Sequence, residues 1–118
     1  DGGAWILPRV IGASRAAELF FAADTIAART ALAWGLVSHV VPAAKLIEEA
    51  HALAHRICRQ PPDVLRMTKR LMREAQTGSF ESIMEMSAAM QSLAHTTADH
   101  QEALPAFFEK RPPQFHGE

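Results

Sequence analysis

The sequence predicts a mainly α-helical chain with at most one short strand. Apolar residues recur at helical spacing through residues 43–59, 64–72 and 80–93, the pattern of amphipathic helices that each bury one face. Glycine, proline and serine punctuate these stretches where helices stop or start. Only one run is β-prone: Leu36, Val37, Val40 and Val41, between Gly35 and Pro42. A lone strand cannot satisfy its own backbone N–H and C=O groups. Its partners are therefore expected in a sheet upstream of Asp1 or in another subunit.

The elements come in chain order. Residues 2–7 suit a short helix that stops at Pro8, whose ring clashes with a preceding helical turn. Gly12 breaks the chain, and residues 15–23 form an amphipathic segment with Leu19, Phe20 and Phe21. Asp24 and Thr25 offer side-chain oxygens to the next N-terminus. Residues 29–34 make a short helix ended by Gly35, a residue suited to a left-handed stop. Pro42 opens a long helix over 43–59, and Pro61-Pro62 force a restart. The next helix, lined by Val64, Leu65, Leu71 and Met72, closes at Gly78. Ser79 caps a third long helix whose inner face is Phe80, Ile83, Met84, Met86, Met90 and Leu93. Asp99 and Glu102 read as a capping box for a final helix ending near Arg111, with Pro105 bending it.

Composition narrows the function classes. The 118 residues carry 12 basic and 13 acidic side chains, net charge -1, so no overall field points to nucleic acid or an anionic membrane. The basic run Arg66, Lys69, Arg70, Arg73 has the spacing of a solvated helix face. A hydrophobic content of 48% allows a real core. No apolar run reaches a membrane span. The single cysteine, Cys58, cannot bridge internally, which favours a reducing, cytoplasmic setting.

Few residues suggest chemistry by themselves. His51 and His55 have metal-ligand spacing, but Ala52 stands where a zinc protease needs glutamate. No metal is expected. His95 and His100 read as loop and cap residues. Cys58 lies near Arg56, Arg59 and His55 without a recognisable oxyanion hole. The carboxylate pairs Glu48/Glu49, Glu81/Glu85 and Asp99/Glu102 fit polar faces and helix starts. The methionines fit core positions, or an apolar acyl pocket. Asp1, ahead of two glycines and a helix, is either an exposed terminus or an acid that can approach a ligand. Phe107, Phe108, Lys110 and Arg111 set aromatic rings beside a basic pair, suited to an acyl chain and a phosphate together.

Three stretches together resemble the C-terminal part of the enoyl-CoA hydratase/isomerase, or crotonase, family. One is Gly2-Gly3 followed by Leu7-Pro8-Arg9-Val10-Ile11-Gly12. Another is Ala31-Leu32-Ala33-Trp34-Gly35-Leu36-Val37 leading to Val40-Val41-Pro42. The last is Asp99-His100-Gln101-Glu102-Ala103 followed by Ala106-Phe107-Phe108-Glu109-Lys110-Arg111-Pro112-Pro113. The resemblance covers essentially the whole chain. Pro105 and Ala22-Ala23, where members often have Thr-Gly, are local departures.

The resemblance implies the helical C-terminal region of a crotonase-like α/β fold. Residues 1–42 would end the crotonase core, and residues 43–118 would form a helical trimerisation region. Such proteins process acyl-CoA thioesters through an enolate whose oxygen two backbone N–H groups stabilise, and they assemble as homotrimers or hexamers. Coenzyme A is part of the substrate, so no separate cofactor is implied. The oxyanion-hole segments and the hydratase glutamates lie in the N-terminal part of the family, so this chain alone is expected to be inactive. Asp1 resembles the acid before the glycine pair of isomerase-like members, a catalytic position. Phe107 and Lys110 match the segment beside the acyl-CoA site, a substrate-binding position. The alternative is a non-catalytic helical oligomerisation or interaction module.

Overall fold

A computed structural model of the chain describes residues 2–117. Among them are seven α-helices: α1 (Gly3–Ile11), α2 (Ala13–Ala22), α3 (Ala28–Ala33), α4 (Leu46–Cys58), α5 (Pro62–Glu74), α6 (Phe80–His95) and α7 (Ala98–Glu109). A 3-10 turn, Ala43–Lys45, leads into α4. The fold class is mainly α, as the periodicity requires. The chain divides into two compact units, Asp1–Glu49 and Ala50–Glu118, and the division falls within α4.

In the first unit α1 packs along α2, and each contributes a buried side chain, Ile11 and Ala16. Pro8 does not stop α1, contrary to expectation; it lies inside the helix. Proline removes one rung of the ladder at about 3 kcal/mol, and the packing of α1 on α2 offsets the lost rung. The stop is Gly12, whose N–H donates to Pro8 O (3.0 Å) at φ 86 and ψ 154, a region nearly closed to other residues. Asp24 and Thr25 cap no helix among the described residues. Helix α3 starts three residues later, after Ala27, without a side-chain cap.

Helix α3 ends at Gly35 as expected. Gly35 N–H donates to Leu32 O (3.0 Å) and Leu36 N–H to Ala31 O (2.9 Å), with Gly35 at φ 76. This is a Schellman stop. The β-prone segment beyond it forms no strand. Among the described residues the backbone N–H groups of Ser38, His39, Val40 and Val41 meet no protein acceptor, and Val37 and Val40 are exposed. Strand propensity had no edge to pair with, and an extended run without a partner has no ladder.

In the second unit α6 packs against both α5 and α7. Pro62 occupies the first turn of α5, where its missing N–H costs nothing. Ser79 caps α6 by accepting from Ser82 N–H (3.2 Å). The opening of α7 corrects the sequence reading. Thr97, not Asp99, is its cap, accepting from His100 N–H (3.2 Å). A cap needs extended backbone, and Thr97 has it, at φ -77 and ψ 153. Asp99 and Glu102 are thereby freed for other partners.

The core is sparse. Among the described residues the buried apolar side chains are Ile11, Ala16, Ala31 and Ala106. The methionines do not all fill it: Met72 and Met84 are exposed. Helix α4 leaves Leu46, Ile47, Leu53 and Ile57 in the open, so its apolar stripe is complete but uncovered. Stripes of this kind normally gain their stability by being buried.

Candidate substrate-binding site

The candidate site is built on the last turns of α7 and the tail beyond them. Phe107 lies in the last turn of α7 and Lys110 is the residue that ends it. Both line an open hollow of ≈ 440 Å³, with Ala103, Ala106, Arg111 and Pro113. Phe107 is largely exposed, and its ring meets that of Phe108 edge-on at 5.7 Å. The floor is apolar; the rim carries two cations.

Those two cations are not equivalent. Arg111 is already paired: its Nη2 donates to Glu102 Oε2 (2.9 Å), its Nη1 to Glu102 Oε1 (2.5 Å) and its Nε to Glu109 Oε2 (2.7 Å). Bonding to these carboxylates raises the Arg111 pKa further. The Arg111 guanidinium, followed by the Gln114 N–H, holds the Glu102 carboxyl at about 2, against an ordinary 4.5. Lys110, in contrast, makes no ion pair among the described residues. Its charge is the one left available to an anion.

Lys110 also holds an unusual backbone position. Its φ is 55, left-handed. Its N–H donates to Phe107 O (3.3 Å), and Arg111 N–H donates to Ala106 O (3.1 Å). Helix α7 thus ends in the same Schellman pattern as α3, with lysine where glycine is usual.

Beyond Arg111 the tail is extended and clasped by side chains. Gln114 N–H donates to Glu102 Oε1 (2.9 Å). His116 N–H and Gly117 N–H donate to Asp99 Oδ1 and Oδ2 (2.7 and 3.0 Å). Asp99 is the buried polar residue of the core, at 3% exposure. Gly117 reaches the start of α5, where an added Cβ would lie 3.4 Å from the Pro62 ring. Sequence reasoning misses this role of Asp99, Glu102 and Arg111. Pro112-Pro113 is the available signal, because two prolines bar a regular continuation and leave the next amides in need of acceptors.

The remaining candidates are not brought to this hollow. Asp1 lies outside the described residues. His51 and His55 are exposed, with ring centroids 6.4 Å apart, edge-on. Among the described residues no group of three or more His, Cys, Asp or Glu could hold a metal. Cys58 is exposed. Met67 and Met90 line a smaller hollow of ≈ 210 Å³ between α5 and α6, with Leu71 and Val64. Nor is any described helix long and apolar enough to cross a membrane.

The model of the enoyl-CoA hydratase/isomerase family matches residues 1–118, and the chain belongs to that family. It is 35% identical to the 1,2-epoxyphenylacetyl-CoA isomerase of Escherichia coli over 98% of its own length and 44% of the relative's. It is 33% identical to the crotonyl-CoA hydratase of Syntrophomonas wolfei, covering 97% of this chain and 44% of that protein. Its fold superimposes on an enoyl-CoA hydratase structure from Bacillus anthracis with TM-score 0.92 and 35% identity, over 99% of this chain and 45% of that one. The chain therefore spans less than half the length of these relatives.

Proposed function

We propose that this chain is the C-terminal part of an acyl-CoA-processing enzyme and that it supplies part of the coenzyme A site. The observation that carries the reading is the hollow in which Phe107 stands with Lys110, which makes no ion pair among the described residues. An aromatic face takes apolar or heterocyclic surface, and an ammonium takes phosphate as a point charge. Both kinds of surface occur in a coenzyme A thioester. In the intact protein the reaction is hydration or isomerisation through an enolate stabilised by backbone N–H groups. It uses no cofactor beyond the coenzyme A of the substrate.

Coverage of 44% leaves the position of the segment within its relatives to be argued from the fold. The C-terminal placement is supported by the absence of strands among the described residues and by the family resemblance of the ending through Arg111-Pro112-Pro113. An open reading frame that adds strands and carboxylates ahead of Asp1 is the expected finding. Strands encoded after Glu118 would assign the segment to the N-terminal part instead.

The 118 residues alone are inactive on this reading. Turnover of crotonyl-CoA by the purified chain would overturn it. The uncovered faces of α4 and the unladdered segment after Gly35 are covered, on this reading, by the rest of the protein in a cytoplasmic homotrimer or hexamer. The same bare faces favour a second reading, a helical assembly module without catalysis. A full-length protein that oligomerises but binds no coenzyme A would decide for the module.

A further inference from the structure

We infer that Glu102 is a positioning residue for the coenzyme A site: it clasps the tail that forms the wall of the Phe107/Lys110 hollow. This rests on the substrate-binding reading of that hollow. The geometry runs through one carboxylate. Glu102 accepts two bonds from Arg111 and a third from Gln114 N–H. Pro113, which lines the hollow, is held between those two anchor points. Asp99 fixes the tail again at His116 and Gly117. The clasp therefore does two things. It sets Pro113 as a wall, and it neutralises Arg111 so that Lys110 carries the available positive charge on the rim.

Release of the clasp changes both properties at once. Pro113 loses the anchors on either side of it while Asp99 still holds the tail further on, and Arg111 keeps a single carboxylate bond, to Glu109, in place of its bidentate hold on Glu102. Bidentate carboxylate–guanidinium pairing is rigid enough to hold such a position, whereas an amide at the same site cannot accept both Arg111 bonds and the Gln114 bond equally well.

The test is made on the full-length enzyme, with coenzyme A as ligand for affinity and crotonyl-CoA for kinetics. Glu102→Gln is expected to weaken coenzyme A binding about tenfold, at the modest end of what misplacing a binding group costs. KM should rise with kcat largely kept. Lys110→Gln should weaken binding on its own, and its effect should shrink in the Glu102→Gln background, since coupled neighbours are not additive. A structural role alone would lower the unfolding midpoint and leave the two substitutions multiplicative; that result overturns the inference. If Phe107→Ala and Lys110→Gln leave coenzyme A affinity unchanged, the substrate-binding reading itself fails, and the inference with it. If those two weaken binding while Glu102→Gln does not, the reading stands and the clasp is discarded.

Discussion

Helices α3 and α7 end in the same hydrogen-bonded pattern, yet the segments beyond them differ. At α3 the left-handed residue is Gly35; at α7 it is Lys110. Beyond Gly35 the backbone N–H groups of residues 38–41 meet no protein acceptor among the described residues. Beyond Lys110 the chain is extended, but two carboxylates of α7 supply the acceptors. The first end depends on the backbone alone and leaves its sequel open to a partner. The second tolerates a lysine that the backbone disfavours by about 1–2 kcal/mol. Strain held at a position that also lines a hollow is a reason to suspect function there.

The largest expected effect breaks the second end. Asp99→Ala removes the acceptor for two backbone N–H groups in a buried place, at about 2 kcal/mol by the usual worth of bonds to a charged group. Amide exchange at His116 and Gly117 should lose its protection, and the unfolding midpoint should fall. Unchanged protection would mean that the tail is held by its packing on Pro62 rather than by Asp99.

The first end is tested more gently. No atom lies within 4 Å of a Cβ built on Gly35, so Gly35→Ala probes backbone conformation and nothing else. It should cost about 1 kcal/mol, read from denaturant unfolding. Lys110→Gly is the mirror experiment and sharpens the comparison. It should stabilise by a few tenths up to about 1 kcal/mol, because relief of the left-handed strain exceeds the flexibility that glycine adds. Coenzyme A affinity of the full-length protein should fall in the same variant. A gain in stability with no loss of affinity would leave the lysine without the role proposed for it.

The same contrast explains why some features are legible in the sequence and others are not. Gly35, Ser79 and Pro62 act through their own backbone or side chain on neighbouring residues, so local pattern suffices to place the helix boundaries they set. Pro8 misleads because the packing of α1 on α2 overrides a local penalty. The run Leu36 to Val41 misleads because β propensity states a preference for a partner without providing one. Asp99 and Glu102 fit a capping box by spacing, but Thr97 lies two residues earlier and takes the cap. Their actual partners are 9 to 18 residues further on, beyond the reach of any local rule. Phe107 and Lys110 are legible as a pair because they stand three residues apart, and the local stop of α7 brings both to one hollow.

The smallest expected effect is one of pH, and it belongs to the clasp. Glu102 has its folded value lowered to about 2 from 4.5 by the Arg111 and Gln114 bonds. A depressed carboxyl stabilises the folded form fully above its unfolded value, and that contribution is lost as pH falls toward the folded value. The window therefore runs from near 4.5 down to about 2; at neutral pH the clasp is fully charged. Solvent reaches the Glu102 side chain, which is 27% exposed, so screening keeps the contribution to global stability small. Local protection is the sensitive readout: Gln114 amide exchange should rise through this window once the intrinsic pH dependence is divided out. Glu102→Gln should abolish that transition. Arg111 and His116 face the carboxylate, and the Arg111 guanidinium keeps its charge as the solution becomes more acid. A transition that persists in Glu102→Gln would show that the acid sensitivity of the tail does not come from Glu102.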